Sequence, residues 1–153
     1  MGADAKVQEL GLDLTHPVGP IANYVPAVTT GKLVYLSGKG PNQGDGSLMT
    51  GKVGVDLSVD DGYEAARLVG IQLLAALQEH LGGSLDSVNR IVKLLGMVNC
   101  TPDFGDQPKV INGCSDLLVS VFGENGTHAR SAVGMGSLPG NIPVEIEMIV
   151  ELK

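Results

Sequence analysis

Tryptophan is absent from this chain of 153 residues, aromatics make up only 3% of it, and arginine occurs three times, at Arg67, Arg90 and Arg130. Without aromatics the core has to be built from Val, Leu, Ile, Met and Ala, and nothing resembles a platform for stacking bases. Positive charge is also short: the net charge is −7 and the sequence pI about 4.7. Affinity for nucleic acid comes mainly from Lys and Arg neutralising phosphates, so no nucleic-acid partner is expected. Two cysteines, Cys100 and Cys114, make no disulfide framework and fit a reducing compartment. No apolar run approaches the ~18 residues of a membrane span, and MGADAKVQEL lacks the basic start and apolar stretch of a secretion signal. A soluble, cytoplasmic protein with no membrane partner is expected.

Ready-made motifs are missing too. GMGSLPG (134–140) breaks the dinucleotide fingerprint at Pro139, and no helix pattern follows it. SGKGPNQGDG (37–46) has no GK[ST] order. His16, His80 and His128 share no metal-ligand spacing, so no metal site is expected. No Ser-His-Asp arrangement can be drawn.

What is present reads as one domain. Residues 1–17 are polar and form a peripheral extension, and 18–153 are a single unit. KLVYLSG (32–38) reads as a strand, 40–51 as a loop, and GKVGVDL (51–57) as a second short strand. GYEAARLVGIQLLAALQEHL (62–81) is a buried helix, capped by Ser58 or Asp60 and ended by Gly82 and Gly83. Residues 87–100 form a strand, and 108–122 a helix whose apolar positions include Val110, Cys114, Leu117, Leu118 and Val121. The remainder reads as a hairpin with Gly134 opposite Glu145, Val133 and Met135 joining the Val144–Leu152 set on the core face. The expected architecture is α+β: a mixed sheet with two helices packed on one face. Its other face would carry Arg130, small residues and carboxylates, covered by other subunits that leave a cavity.

On that reading Arg130 and Glu145 share one side of the sheet. Arg130 is either a salt-bridge partner of Glu147 or Asp116, or an anchor gripping a small acid through two parallel hydrogen bonds. Ala132 and Gly134 follow it on the same face and leave room. Glu145 is either a solvated strand charge or, in a protected pocket, a base that draws a proton from water. Cys114 is a core residue.

The stretch ARSAVGxxxLPxxxxVEIE, Ala129 to Glu147, resembles the C-terminal signature of the Rid (reactive intermediate deaminase) family, whose members also carry the older label L-PSP endoribonuclease. NYVPAV (23–28), LVYLSGKGP (33–41), GYEAARL (62–68) and VINGCSDLL (110–118) follow the family's order, so the resemblance covers about residues 18 to 152. It implies a chorismate-mutase-like fold assembled as a homotrimer, with sites in the clefts between subunits. It also implies hydrolysis of 2-imino and enamino acids to keto acid and ammonia, without metal or cofactor. Position by position, Arg130 matches the arginine that holds the substrate carboxylate and Glu145 the glutamate that activates water. Tyr24, Ser37 and Asn112 match residues lining the cleft. Ala132 stands where the family commonly has a cysteine, and Lys39 where it often has a glutamine. Two other readings remain: a trimer that binds a small carboxylate as a sensor and catalyses nothing, and a ribonuclease, suggested only by the older label and opposed by the acidic charge.

Overall fold

The computed structural model describes residues 2–153. Helix α1 (Ala3–Glu9) precedes a hairpin of β1 (Ala27–Thr30) and β2 (Leu33–Lys39); then come α2 (Val59–His80), β3 (Val88–Asn99), α3 (Gln107–Phe122), β4 (Ala129–Met135) and β5 (Val144–Leu152). The five strands lie in the order β1-β2-β5-β3-β4; β3 and β4 run parallel and every other pair is antiparallel. The α+β architecture with α2 and α3 on one face of a mixed sheet is as expected.

Local chemistry explains most element limits. Ser58 accepts from the backbone of Asp61 at 3.0 Å while Asp61 accepts from the backbone of Ser58 at 2.9 Å, a reciprocal cap that starts α2. Three glycines let α2 and α3 approach. A Cβ on Gly113 would collide with the Tyr63 carbonyl, one on Gly70 would lie 2.9 Å from Leu117, and one on Gly62 3.0 Å from Val110. Leu73, Leu74 and Leu77 of α2, Ile111 and Leu118 of α3, and Ile91, Leu94, Ile146 and Met148 of the sheet fill the core. Cys114 is buried there, its thiol pushed up to about 12 chiefly by burial, and both cysteines are free.

Four expectations are corrected. First, β4 and β5 do not form a hairpin, because β3 lies between them and pairs with both. Residues 100–128, with α3, supply the long crossover that a parallel β3–β4 pair requires. Second, the faces of β4 are reversed. Arg130, Ala132 and Gly134 pair with Leu94, Gly96 and Val98 on the helix-covered side, whereas Ser131, Val133 and Met135 face the other way. The helix side of β4 is small because α3 comes close: a Cβ on Gly134 would lie 2.9 Å from the Cys100 sulfur and 3.0 Å from Gln107. The room that Ala132 and Gly134 leave is therefore taken by the protein itself. Third, residues 51–57 are not a strand. Gly51 and Gly54 adopt φ of 128° and 90°, and Val53 makes only isolated bridges. The strand beside β2 is β1, reached through the two-residue turn Gly31-Lys32. Fourth, the N-terminal segment is not peripheral: α1 packs on α3, Val7 and Leu14 are buried, and the Asp4 carboxylate accepts from Leu85 N and Ser84 Oγ.

The second face of the sheet is uncovered. Register places Val28, Tyr35, Ile149, Leu95, Met97 and Val133 on it together with Lys93, Ser131, Glu145 and Glu147. Val28 is 54% exposed, Tyr35 45% and Val133 38%. A broad, largely apolar face of this kind marks an interaction surface. Among the described residues no helix is long and apolar enough to cross a membrane.

Candidate active site

The residues singled out from the sequence fall into two clusters. Arg130 leaves β4 on the helix side and reaches α3. Its Nη1 donates to Asn112 Oδ1 at 2.8 Å and to Ser115 Oγ at 3.1 Å, and its Nη2 to the Pro108 carbonyl at 3.4 Å. Among the described residues no carboxylate pairs with it. Glu147 lies on the uncovered face, and Asp116 instead accepts from the Tyr63 hydroxyl at 2.8 Å. Uncharged acceptors orient this guanidinium and leave its charge uncompensated. Ala132, two residues on, shares the helix side and packs against the core.

Glu145 belongs to the other cluster. It leaves β5 on the uncovered face, opposite Met97, and its carboxylate lies across Gly38, where a Cβ would collide with it. The register shift between β2 and β5 after Leu36 falls at this point. Glu145, Gly38, Tyr24, Lys39, Leu48 and Ile142 line a cavity of about 420 Å³. Burial raises the Glu145 pKa above the ordinary glutamate value, and the charge of Glu147 on the same face raises it further. Ser37 does not line this cavity. Its hydroxyl donates to the Val25 carbonyl at 2.7 Å and its N–H to the Pro26 carbonyl at 2.9 Å, and so holds the segment that carries Tyr24.

Arg130 and Glu145 are therefore not neighbours within one chain. β3 separates their strands, the two side chains leave opposite faces, and their backbones lie about 10 Å apart across the sheet and about 10 Å along it.

Sequence reasoning gave no part to three residues that lie beside these clusters. Lys39 is buried on the cavity wall, where its Nζ donates to the Val18 carbonyl at 2.6 Å and burial lowers its pKa. Ser115 sits one turn after Asn112 on α3, and an i, i+3 pair of polar residues facing a strand arginine was the available signal. His128 touches Ser115, and nothing in its spacing from Arg130 announced that. Among the described residues no group of three or more His, Cys, Asp or Glu converges in a way that could hold a metal ion.

Comparison with known proteins agrees with the fold and the signature. The model of the family described as YjgF/chorismate mutase-like, which also bears an endoribonuclease label, matches residues 4–152. Protein TCP17 of Trypanosoma cruzi is 44% identical over 149 residues, covering 97% of this chain and 92% of that protein. A 2-iminobutanoate/2-iminopropanoate deaminase of Dermatophagoides farinae is 30% identical over 139 residues, covering 90% of each. The crystal structure of protein Atu1372 of Agrobacterium tumefaciens, whose function is unknown, superposes with a TM-score of 0.88 at 43% identity, covering 99% of this chain and 93% of that one. With the fold, the signature and these relatives in agreement, the chain belongs to the YjgF/chorismate mutase-like family, that of the Rid proteins.

Proposed function

We propose that this protein is a hydrolytic deaminase of reactive 2-imino and enamino acids, working as a homotrimer in which Arg130 of one subunit and Glu145 of the next face one substrate. The observation that carries this reading is the separation of the two half-sites on opposite sides of a sheet, one face of which is apolar and uncovered. A ring of identical subunits packed through that face joins an arginine edge to a glutamate cavity in each cleft. The deaminase from Dermatophagoides farinae supports the reaction class.

The chemistry asks little of the protein. Arg130, already aimed by Asn112 and Ser115, binds the substrate carboxylate through two N–H donors. The imine carbon is electrophilic, so orientation and one activated water suffice. Glu145 takes a proton from the water as its oxygen bonds to that carbon, and the C=N electron pair goes to nitrogen. The Glu145 carboxyl returns that proton to the nitrogen; the carbinolamine then collapses as its hydroxyl proton passes through Glu145 to the amine, C=O forms as C–N breaks, and keto acid and ammonia leave with the carboxylate regenerated. A raised carboxyl pKa suits this role, because it makes Glu145 a better base near neutral pH. Ala132 at the usual cysteine position leaves a thiol no part in the cycle.

The test generates 2-imino acids with an amino-acid oxidase, traps them with semicarbazide, and adds wild-type protein or Arg130→Ala. The wild type is expected to divert imine from the trap to keto acid, and the variant is not. If wild type diverts none, across small and bulky side chains, while saturably binding keto acid in an Arg130-dependent way, the protein is a carboxylate-binding sensor and not an enzyme.

A further inference from the structure

Behind Arg130 runs a chain of hydrogen bonds whose direction is fixed from end to end. His128 Nδ1 lies 2.6 Å from the Gly126 carbonyl. A carbonyl only accepts, so Nδ1 carries the proton, and Nε2 of the neutral ring is left as an acceptor. Ser115 Oγ, 3.0 Å from Nε2, therefore donates to it. With its proton directed at the ring, the hydroxyl presents lone pairs elsewhere, and Arg130 Nη1 donates to it at 3.1 Å. Asn112 Oδ1 accepts from the same Nη1 at 2.8 Å. Three elements, the turn at Gly123–Gly126, helix α3 and strand β4, meet at this one line of atoms.

We propose that His128, acting through Ser115, is a positioning residue that aims the Arg130 guanidinium, and that protonation of His128 releases it and weakens carboxylate binding. The proposal rests on reading Arg130 as the carboxylate anchor. An imidazolium has a proton on both nitrogens. Nε2 then donates to Ser115, the serine proton must turn away from the ring, and the hydroxyl, with one lone pair now taken by the imidazolium, becomes a poorer acceptor for Nη1. Two cations also come to face each other through one hydroxyl.

The groups around His128 favour the neutral ring at neutral pH. From α3 it meets the uncharged Ser115, and from β4 the cation Arg130; Cys114 nearby on α3 remains a thiol. Arg90 of β3 and Glu151 of β5 line the same open groove, one of each sign. Burial and, less strongly, Arg130 hold the His128 pKa below the ordinary histidine value, against the opposing pull of the Gly126 carbonyl.

The test measures binding of pyruvate, a stable small 2-oxo acid, to the full-length protein between about pH 5 and pH 8, where free imidazole titrates. Wild-type affinity is expected to weaken about three- to tenfold toward the acid end, the effect of weakening one contact by about the net worth of an ordinary hydrogen bond. His128→Gln keeps an acceptor for Ser115 but cannot titrate, so it should bind like wild type at pH 7.5 with the acid-side weakening removed. His128→Phe and Ser115→Ala should bind weakly at every pH. A purely structural histidine would instead lower Tm in both His128 variants and leave the pH dependence of binding as it was. If His128→Gln shows the wild-type pH dependence, the proposal is overturned.

A second readout needs no ligand. The Arg130 side-chain N–H resonance, assigned by its absence in Arg130→Ala, should shift along the His128 titration curve. If pyruvate fails to bind, or binds equally well to Arg130→Ala, the anchor reading falls. The relay from His128 then stands or falls on whether that resonance follows His128.

Discussion

Arg130 and Glu145 leave opposite faces of one sheet, on strands separated by β3. A site that uses both must take one from each of two subunits. Mixing Arg130→Ala with Glu145→Gln, each inactive alone, should therefore restore activity. In a ring of three, any mixed trimer holds one cleft in which the arginine and glutamate are both intact. Random mixing should return about one quarter of wild-type activity. Separately purified variants that do not exchange subunits should give none, and co-expression with two affinity tags distinguishes the cases.

The pH dependence of Glu145 has a definite sign. Its folded pKa is raised, so the folded chain holds this proton more tightly than the unfolded chain does. Its contribution to stability is greatest below the ordinary glutamate value and is lost as pH rises through the raised folded value. At pH 7 Glu145→Gln should therefore melt at a higher temperature than wild type while losing about 10²- to 10⁴-fold in turnover. The acid limb of the wild-type rate profile should lie above the range of an ordinary glutamate. A destabilised Glu145→Gln would show instead that the carboxylate is held by favourable contacts.

Gly38 is a glycine for room. Its φ is not in the left-handed region, but a Cβ would occupy the position of the Glu145 carboxylate. Gly38→Ala should cost little stability, because the atoms it meets belong to the flexible Glu145 side chain, which can turn aside. It should nonetheless lower kcat by about 10²-fold, because a displaced base misses the attacking water. Circular dichroism and single-turnover rates on the same preparation separate the two effects.

Elements whose limits are set by neighbouring residues were legible in the sequence. Of the two caps read for α2, Ser58 or Asp60, Ser58 is the one that opens it, and the apolar spacing from Val110 to Val121 marks α3. What needed the whole fold was not legible. The insertion of β5 between β2 and β3 leaves no local trace, so two consecutive strands read as a hairpin. Hydropathy assigned Val133 and Met135 to the core, yet the helix side of β4 is made of Ala132 and Gly134 because Gln107 and Cys100 press on it. β1 was missed because AVTT is a short, half-polar edge strand, and α1 because its place depends on Asp4 bonding a loop eighty residues away. At the site, alternation assigned Glu145 to the uncovered side of β5, while the same logic put Arg130 on the wrong side of β4.

Close approach of α2 and α3 depends on Gly113, where a Cβ would collide with the Tyr63 carbonyl and lie 3.1 Å from the Arg67 nitrogen. Backbone cannot yield as a flexible side chain does, so Gly113→Ala must move one helix against the other. The expected cost is about 1–3 kcal/mol or more, despite the better helix propensity of alanine. Because Asn112 and Ser115 flank this contact, the shift should also turn the Arg130 guanidinium and raise KM for a carboxylate substrate.

Lys39 should act on access to the Glu145 cavity. Its Nζ holds the Val18 carbonyl at 2.6 Å while Gln72 Oε1 accepts from the Val18 N–H at 3.0 Å, so both backbone polar groups of this residue are tied down at the cavity wall. Tyr24, on the segment that follows, lines the same cavity. Lys39→Met keeps most of the buried stem and removes the donor, leaving the segment held at Val18 by Gln72 alone. Limited proteolysis within residues 17–24 should then quicken, and KM should rise while kcat changes little, because neither Arg130 nor Glu145 has moved. A fall in kcat with unchanged KM would instead mean that the ammonium itself takes part in the reaction, as a charge facing the developing carbinolamine.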